Sequence, residues 1–542
     1  MTVEKWQRDT IKLLIDNDIR LSLLIINAEK PRPYKSFSDK IKHYPYSRIL
    51  FRIWNRFFFK PEAKTLVSLS FHPTENIENI PQMRCQPIKK GISTYFSDDD
   101  IAKIKSYDLD FILRFGFDIV RGGVLECARH GIWSYHHDDE LVVRGGPPGF
   151  WEFMRKIPKN GVILQQLTND LDKGLIINKI HFDTFLHSYK FHLNRLLTES
   201  EFLPLQACNN LIINGNIETK LSQSKAPIQH PPRNFQMLGY FWLCFWRKLV
   251  FNFNYFFRQE DWNVGYCLMS IEDFINCKDR ENIKIHWLKP SKSEYYADPF
   301  VITTKEDTYL FFEWYSNKNG KADLAIAKKS EDFKIYHKIS DFPEHHSYPY
   351  VFEYQDVIYC IPEANKTGKV TLYRFENDKL IFDTDLIENV AFVDSTLLQY
   401  EGKWHLFTTP QKQSHTHLLI YVADDLRGPY RPHFNNPVKV DCHDSRPGGK
   451  ILNINGKLIR PAQNSTEHYG QSVVLNKILQ LSDNQFIEEE IQEIKPWGNI
   501  KYNKGIHTLN GNEIMTVFDV KKFTFTWRGF VQQVRQRFVF SL

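Results

Sequence analysis

The sequence predicts a two-part protein, an α/β front half built on a doubly wound parallel sheet and an all-β back half folded as a five-bladed propeller. Three observations carry this expectation. At 542 residues the chain exceeds what one hydrophobic core usually serves. Up to residue 221, helix-period and strand-like segments alternate. Beyond residue 260 the texture changes to short strands and turns with an internal repeat.

In the front half, Trp6 to Asn17 places Trp6, Ile11, Leu14 and Ile15 at helical spacing, and Leu21 to Ile26 reads as a buried strand. Asp110 to Phe115 and Gly131 to His136 are further strand candidates with a helix-like stretch between them, hence the parallel sheet. Ser222 to Pro232 reads as a linker. The boundaries expected are 1–221 for the α/β domain, 222–260 for linker and aromatic helix, and 261–542 for the propeller.

The back half repeats one couplet five times. Segments opening at Asp298, Tyr348, Asp394, Arg446 and His507 are each followed by an aromatic or aliphatic strand, such as Tyr309 to Trp314, Val357 to Glu363 and Lys403 to Thr408. A period of about 50 residues matches one four-stranded blade. A sandwich spaces strands similarly but does not repeat a polar-then-aromatic couplet. In a propeller the innermost strands line a central channel, so Asp298, Asp394, Arg446 and His507 are expected to converge.

Composition excludes several classes. Hydrophobic content of 42% and charged content of 25% are those of a globular chain, and aromatics at 15% suit β-structure and sugar stacking alike. A net charge of +6 without a basic block gives no sign of a nucleic-acid partner. The eight cysteines fall singly, without a CxxC pair, which fits a reducing, cytoplasmic setting and no cysteine-based zinc site. No basic-then-apolar leader opens the chain. Phe235 to Phe257 is rich in aromatics, but Arg247 and Lys248 interrupt it, so it is not expected to span a membrane. It is expected to dock on a domain surface or to lie peripherally at the inner membrane face.

The most specific stretch of the front half is Gly131-Ile-Trp-Ser-Tyr-His-His-Asp-Asp139, followed by Arg144-Gly-Gly-Pro-Pro-Gly149 and Leu171-Asp-Lys-Gly174. It resembles the formyltransferase family, in which a strand ends in Asn-x-His, an Arg-Gly-x-x-Pro loop follows and a Leu-Asp-x-Gly turn supplies an acid. The resemblance covers roughly residues 1 to 190 and implies 10-formyltetrahydrofolate as cofactor and an amino sugar as acceptor. It assigns His136 to polarise the formyl oxygen, Asp172 to orient that histidine or take the amine proton, and Arg144 to a structural or anion-contacting role. Ser134 stands where the family has Asn, and one missing oxyanion donor costs about 10²–10³ in rate. The family also begins with a strand, whereas this chain is expected to start directly in its helix. His137, Asp138 and Asp139 read as a solvated turn, and no metal is expected.

From about Asp261 to Asp519 the chain resembles the N-terminal domain of glucosamine inositolphosphorylceramide transferases. The residues carrying this are Trp262 to Gly265, Tyr296 to Phe300, Phe312-Glu313, Ser347 to Tyr350, Ile361 to Glu363, Asp394 to Leu397, Ser445 to Gly449, Arg460 to Gln463 and Gly505 to Thr508. More distantly it is similar to five-bladed glycoside hydrolases. Glycosidic chemistry needs two carboxyls flanking the bond. The catalytic candidates are Asp298, Glu363 and Asp394, with Glu363 favoured as the acid. Glu313, Arg446, Arg460 and His507 are candidates for binding a glycan or nucleotide-sugar substrate, the cationic ones through phosphate or carboxylate. The same acids equally fit strand caps or partners of arginine between blades.

Two functions follow from these readings. One is a carbohydrate-active transferase of surface-polysaccharide or glycolipid biosynthesis, whose front half formylates an amino sugar and whose propeller binds or processes the glycan. The other is a carbohydrate-binding scaffold with both centres degenerate.

Overall fold

A computed structural model of the protein describes residues 2–29, 46–60, 63–70, 80–170, 174–497 and 500–525. They fall into two compact units, Met1–Phe251 and Asn252–Leu542.

The front unit opens with strand β1 (Thr2–Glu4), which runs straight into helix α1 (Lys5–Asp16) and then β2 (Leu24–Asn27). A reciprocal capping box between Glu4 and Gln7 starts α1, and Trp6, Ile11 and Leu14 form its buried stripe. Helix α2 (Ile49–Trp54) continues as a single π-turn over Asn55–Phe59. β1 pairs antiparallel with β3 (Ser68–Ser70), and β2 pairs parallel with β4 (Gln82–Cys85). The chain therefore does not start directly in its helix. Its short first strand pairs outside the central sheet.

That central sheet combines β5 (Ile112–Arg114), β6 (Ile132–His136), β7 (Lys159–Gln166), β8 (Leu175–Asp183) and β9 (Lys220–Leu221) in the order β9-β8-β7-β6-β5. Only β5 and β6 run parallel, while the other three pairs are antiparallel. The expected doubly wound parallel sheet is thus corrected to a mixed one. The reason is local: β7 returns as β8 through a short connection, which closes an antiparallel pair but cannot carry a crossover helix. The unit's core packs Trp6, Phe150, Phe153, Tyr189 and Leu193 together, joined by Met237 and Tyr240 of helix α3 (Asn234–Phe257).

Among the described residues the back unit forms five antiparallel sheets of four main strands each. The first opens with Glu294–Thr303 and Thr308–Ser316, the second with Ser347–Tyr354 and Val357–Glu363, and the third with Phe392–Tyr400 and Lys403–Pro410. The fourth is built on Leu452–Ile454 and Lys457–Asn464. In the fifth, Leu509–Gly511 and Thr516–Phe525 pair with Arg258–Cys267 and His286–Trp287 from the start of the unit. Tight two-residue turns join several strands: Gln355-Asp356, Asn377-Asp378 and Asn455-Gly456 all adopt positive φ, the backbone of hairpin turns that match strand twist.

Hydrogen bonds between opening segments link successive sheets. Tyr348 N donates to Asp298 Oδ2 at 3.2 Å, and the Tyr348 and Thr396 hydroxyls lie 2.9 Å apart. Arg446 Nε donates to Asp394 Oδ2 at 2.5 Å, Leu509 N to the Gly448 carbonyl at 2.9 Å, and Thr508 Oγ1 to Asp298 Oδ1 at 2.9 Å. First to second, second to third, third to fourth, fourth to fifth and fifth to first, these bonds close a circuit. The sheets themselves stay open and separate, and the arrangement is propeller-like.

Candidate active site

Around the axis of the back unit the chain concentrates buried charge. Four sheets contribute from the opening segment and from the second strand, Asp298 with Glu313, Tyr348 with Glu363, Arg446 with Gln463, and His507 with Asp519; the third sheet adds Asp394 from its opening segment. Asp298, Tyr348 and Asp394 share one backbone device. Each lies where the ladder between first and second strands shifts register, and each holds a positive φ of 43–51°. A bulge of this kind re-aims one side chain out of the pleat, and a left-handed non-glycine backbone is maintained only where surrounding bonds fix it.

Two linked sets make up the cluster. In one, His507 Nδ1 lies 2.7 Å from Asp519 Oδ1 and Nε2 lies 3.2 Å from Asp298 Oδ1. Asp519 also accepts from the backbone N–H groups of Asp298, His507 and Thr508. In the other, Asp394 accepts from Arg446 and from Gln463 Nε2 at 2.6 Å, and Arg446 Nη2 stands 4.0 Å from Glu363. Every one of these groups is buried.

So many acids cannot all be charged beside two cations. Burial pushes Glu363 well above the usual carboxylate range, and the neighbouring Asp394 charge adds to the rise. Burial and Asp298 do the same to Glu313. Burial also acts on Asp394, but Arg446 outweighs it and holds that carboxyl below its ordinary value. Asp298 is pushed up to about 6 by burial, with His507 pulling against the rise. His507 sits above its ordinary value because Asp519 and Asp298 overcome the burial penalty. The centre therefore pairs proton-bearing acids with ionised ones within a few ångströms, the usual signature of acid–base work.

The rim is aromatic. Tyr295 and Tyr315 stack at 4.5 Å, and Tyr469 lies 5.1 Å from the Arg446 guanidinium and edge-on to His507 at 5.2 Å. All three tyrosines are half-buried, and burial pushes the hydroxyls of Tyr295 and Tyr469 well above their ordinary value. Asp298, His507 and Asp519 each offer one ligand atom, all within 4.8 Å of one another, so these three could hold a divalent cation.

The sequence anticipated six members of this cluster: Asp298, Glu313, Glu363, Asp394, Arg446 and His507. It missed Asp519, Gln463 and Tyr469. Asp519 and Gln463 are the second-strand halves of the couplet, and the Asp298–Glu313 pairing was the signal that finds them. Arg460 belongs elsewhere, because its guanidinium meets Glu488 twice, at 2.8 and 2.6 Å, and the carbonyls of Asp444 and Ser445.

In the front unit, Ser134 is buried and its Oγ accepts from Arg114 Nη2 at 2.7 Å, so that oxygen is already engaged. His136 ends β6 with Nε2 3.7 Å from Asp138 Oδ2. Arg144 lies in a two-residue strand, half-buried. Asp172 lies outside the described residues. The solvated turn expected at His137 to Asp139 is instead buried. Asp139 is held by Lys179 at 2.7 Å and His181 at 3.4 Å, and Asp138 accepts from Gly149 N. Burial lifts Asp138 well above its ordinary value and Glu152 to about 7. Short-range composition could not reveal this, since three polar residues in a row look solvated until a neighbouring strand supplies their partners.

Comparison with known proteins bears on the back unit. Residues 284–531 match the family model for glucosamine inositolphosphorylceramide transferase 1, N-terminal. Glucosamine inositolphosphorylceramide transferase 1 of Arabidopsis thaliana is 30% identical over 242 residues, covering 43% of this chain and 31% of that protein. Its counterpart in Oryza sativa subsp. japonica is 27% identical over 270 residues, covering 45% and 36%. The chain thus spans about a third of the length of these relatives. Among solved structures, a thermostable family-43 glycoside hydrolase aligns at 14% identity and TM-score 0.31, covering 40% of this chain and 84% of that one. A family 117 glycoside hydrolase from Zobellia galactanivorans aligns at 13% and 0.31, covering 49% and 90%. From residue 284 to residue 531, then, this chain carries a domain similar to the N-terminal domain of glucosamine inositolphosphorylceramide transferase 1.

Proposed function

We propose that the back unit is the working centre of a glycosyl-transferring protein of glycolipid or surface-glycan biosynthesis, with an amino sugar and a phosphate-bearing lipid headgroup as its substrate class. The observation that carries this reading is the pair of neighbouring carboxyls driven in opposite directions, Glu363 toward the protonated form and Asp394 toward the ionised form. The substrate class comes from the relatives' name; the chemistry comes from the cluster.

In such a transfer Asp298, once ionised, takes the proton from the acceptor hydroxyl as that oxygen bonds to the anomeric carbon. The bond from that carbon to the leaving oxygen breaks, and the departing group keeps the electron pair. Glu363 delivers a proton where the leaving oxygen needs one. Asp394 stabilises positive charge at the anomeric carbon, and Arg446 and His507 offset the charge of a phosphate. The tyrosine rim supplies faces for the sugar ring.

The test incubates the full chain with nucleotide-linked amino sugars and an inositol-phosphate lipid, reading the glycosylated lipid by mass spectrometry. Asp298→Asn and Glu363→Gln are each expected to lower the rate by about 10²–10⁴-fold. Sugar binding by calorimetry without turnover would favour the scaffold reading, and neither binding nor turnover would retire the proposal.

For the front unit, N-formylation of an amino sugar from 10-formyltetrahydrofolate is the reading favoured by His136 at the strand end with an acid beside it. A formamide product lost in His136→Ala supports it. Absence of both folate binding and product removes it.

A further inference from the structure

Helix α3 buries only one narrow face. Met237, Tyr240 and Cys244 pack into the front unit's core, and Arg247 donates to the Phe153 carbonyl at 2.6 Å while lying 4.7 Å over its ring. The opposite face is as apolar as the buried one. Phe235, Leu238, Trp242 and Phe245 recur at three- and four-residue steps and each expose more than half their surface; Leu249 and Val250 continue the stripe. A contiguous apolar face of this size on a soluble surface marks something that covers it.

Charge identifies the occupant. No Asp or Glu occurs from Thr219 to Gln259, a stretch holding Lys220, Lys225, Arg233, Arg247, Lys248 and Arg258. A second acid-free segment is attached to the same helix. Leu50 N donates to Asn234 Oδ1 at 3.1 Å, Asn234 Nδ2 to the Tyr46 carbonyl at 2.8 Å, and the Trp54 ring lies 5.1 Å from Tyr240. From Tyr46 to Lys60 that segment carries Arg48, Arg52, Arg56 and Lys60, and Phe57 and Phe58 are exposed. Tryptophan and phenylalanine interleaved with arginine and lysine form the composition of a helix lying at headgroup depth. Among the described residues no helix is long and apolar enough to cross a membrane. A symmetric pairing of two copies through this face would bring the same cations together. Anionic headgroups attract them.

We propose that α3, with the adjoining Tyr46–Lys60 segment, is a docking surface for an anionic phospholipid bilayer, the aromatic stripe entering the interface and the exposed basic residues Arg52, Arg56, Lys60, Arg233 and Lys248 meeting the headgroups. The inference rests on this helix and is independent of the chemistry assigned to the back unit.

The experiment is co-sedimentation of the full chain with phosphatidylcholine vesicles with and without phosphatidylglycerol, at low and high salt. Binding is expected to need phosphatidylglycerol and to weaken with salt. The double variant Trp242→Gln with Phe245→Gln is expected to lower partitioning about a hundredfold, its thermal unfolding unchanged because both side chains are already solvent-exposed. Lys248→Glu is expected to lower it less and to reduce the salt dependence. The proposal is overturned if folded protein does not bind phosphatidylglycerol vesicles at low salt, if both lipids bind equally, or if the double variant binds as well as the parent. A dimer of the parent chain that dissociates in the double variant, with no vesicle binding, would identify the face as a self-association surface instead.

Discussion

Glu363 and Asp394 sit next to each other and titrate in opposite directions, and this makes a pH experiment decisive at the scale of single residues. A carboxyl whose value in the fold is raised binds its proton more tightly there than in the unfolded chain. Its stabilising contribution is therefore complete below the ordinary value of 4.5 and is lost as pH rises through the folded value. Glu363→Gln keeps the shape and the donor of the protonated acid and has nothing to ionise. The variant's unfolding free energy is expected to gain on that of the parent as pH increases above 4.5, by about 1.4 kcal/mol per pH unit across the window, and its melting temperature to rise relative to the parent's accordingly. Parallel curves in pH-dependent calorimetry would remove the claim that Glu363 is held protonated. Asp298, Asp394, Arg446 and His507 were legible because an acid, arginine or histidine opening a repeat is unusual in a segment that must be buried, and Glu313 and Glu363 because each stands in the apolar strand that follows an opening. Arg460 looked equivalent in sequence, yet its position on the fourth sheet hands it to Glu488, a residue with no motif around it.

At the scale of elements, the contacts between opening segments decide how closely the five sheets approach. Gly449 has φ +148°, and a Cβ there would fall on the carbonyl oxygen of Leu509 and within 2.8 Å of Asn510 Oδ1. Gly449→Ala is expected to cost about 2 kcal/mol or more by strain and displacement at the junction of fourth and fifth sheets. Urea titration of the back unit's transition checks this, and an unchanged midpoint would mean that the junction yields freely. The hairpin turns and the couplet were readable from sequence because both are local. The bulges that turn Asp298, Tyr348 and Asp394 inward were not, since a register shift is a property of two paired strands and leaves no mark on either alone. The same limit explains the front sheet, where strand direction hangs on connection geometry that strand-like composition does not encode.

The whole molecule holds separate cores in its two units. Phe182 on β8 is fully buried in the front unit, and Phe182→Ala is expected to destabilise that unit by about 3–5 kcal/mol. Differential scanning calorimetry should show one transition moving down while the back unit's transition stays in place. A single shared shift would show that the units unfold together. In the back unit, strand Arg258–Cys267 from its beginning pairs along its full length with Thr516–Phe525 from its end. The fifth sheet therefore forms only when both have arrived, which ties the circuit together over its longest loop.

By itself the sequence determined two folding regions, the five-fold repeat and which polar residues open each repeat, because spacing, composition and turn chemistry are written along the chain. Tertiary structure alone decided which acids carry protons, which arginine serves the centre and where Asp519 belongs. Those outcomes depend on burial and on charges brought together from positions as far apart as Asp298 and Asp519, and electrostatic interaction follows distance in space, not separation in sequence.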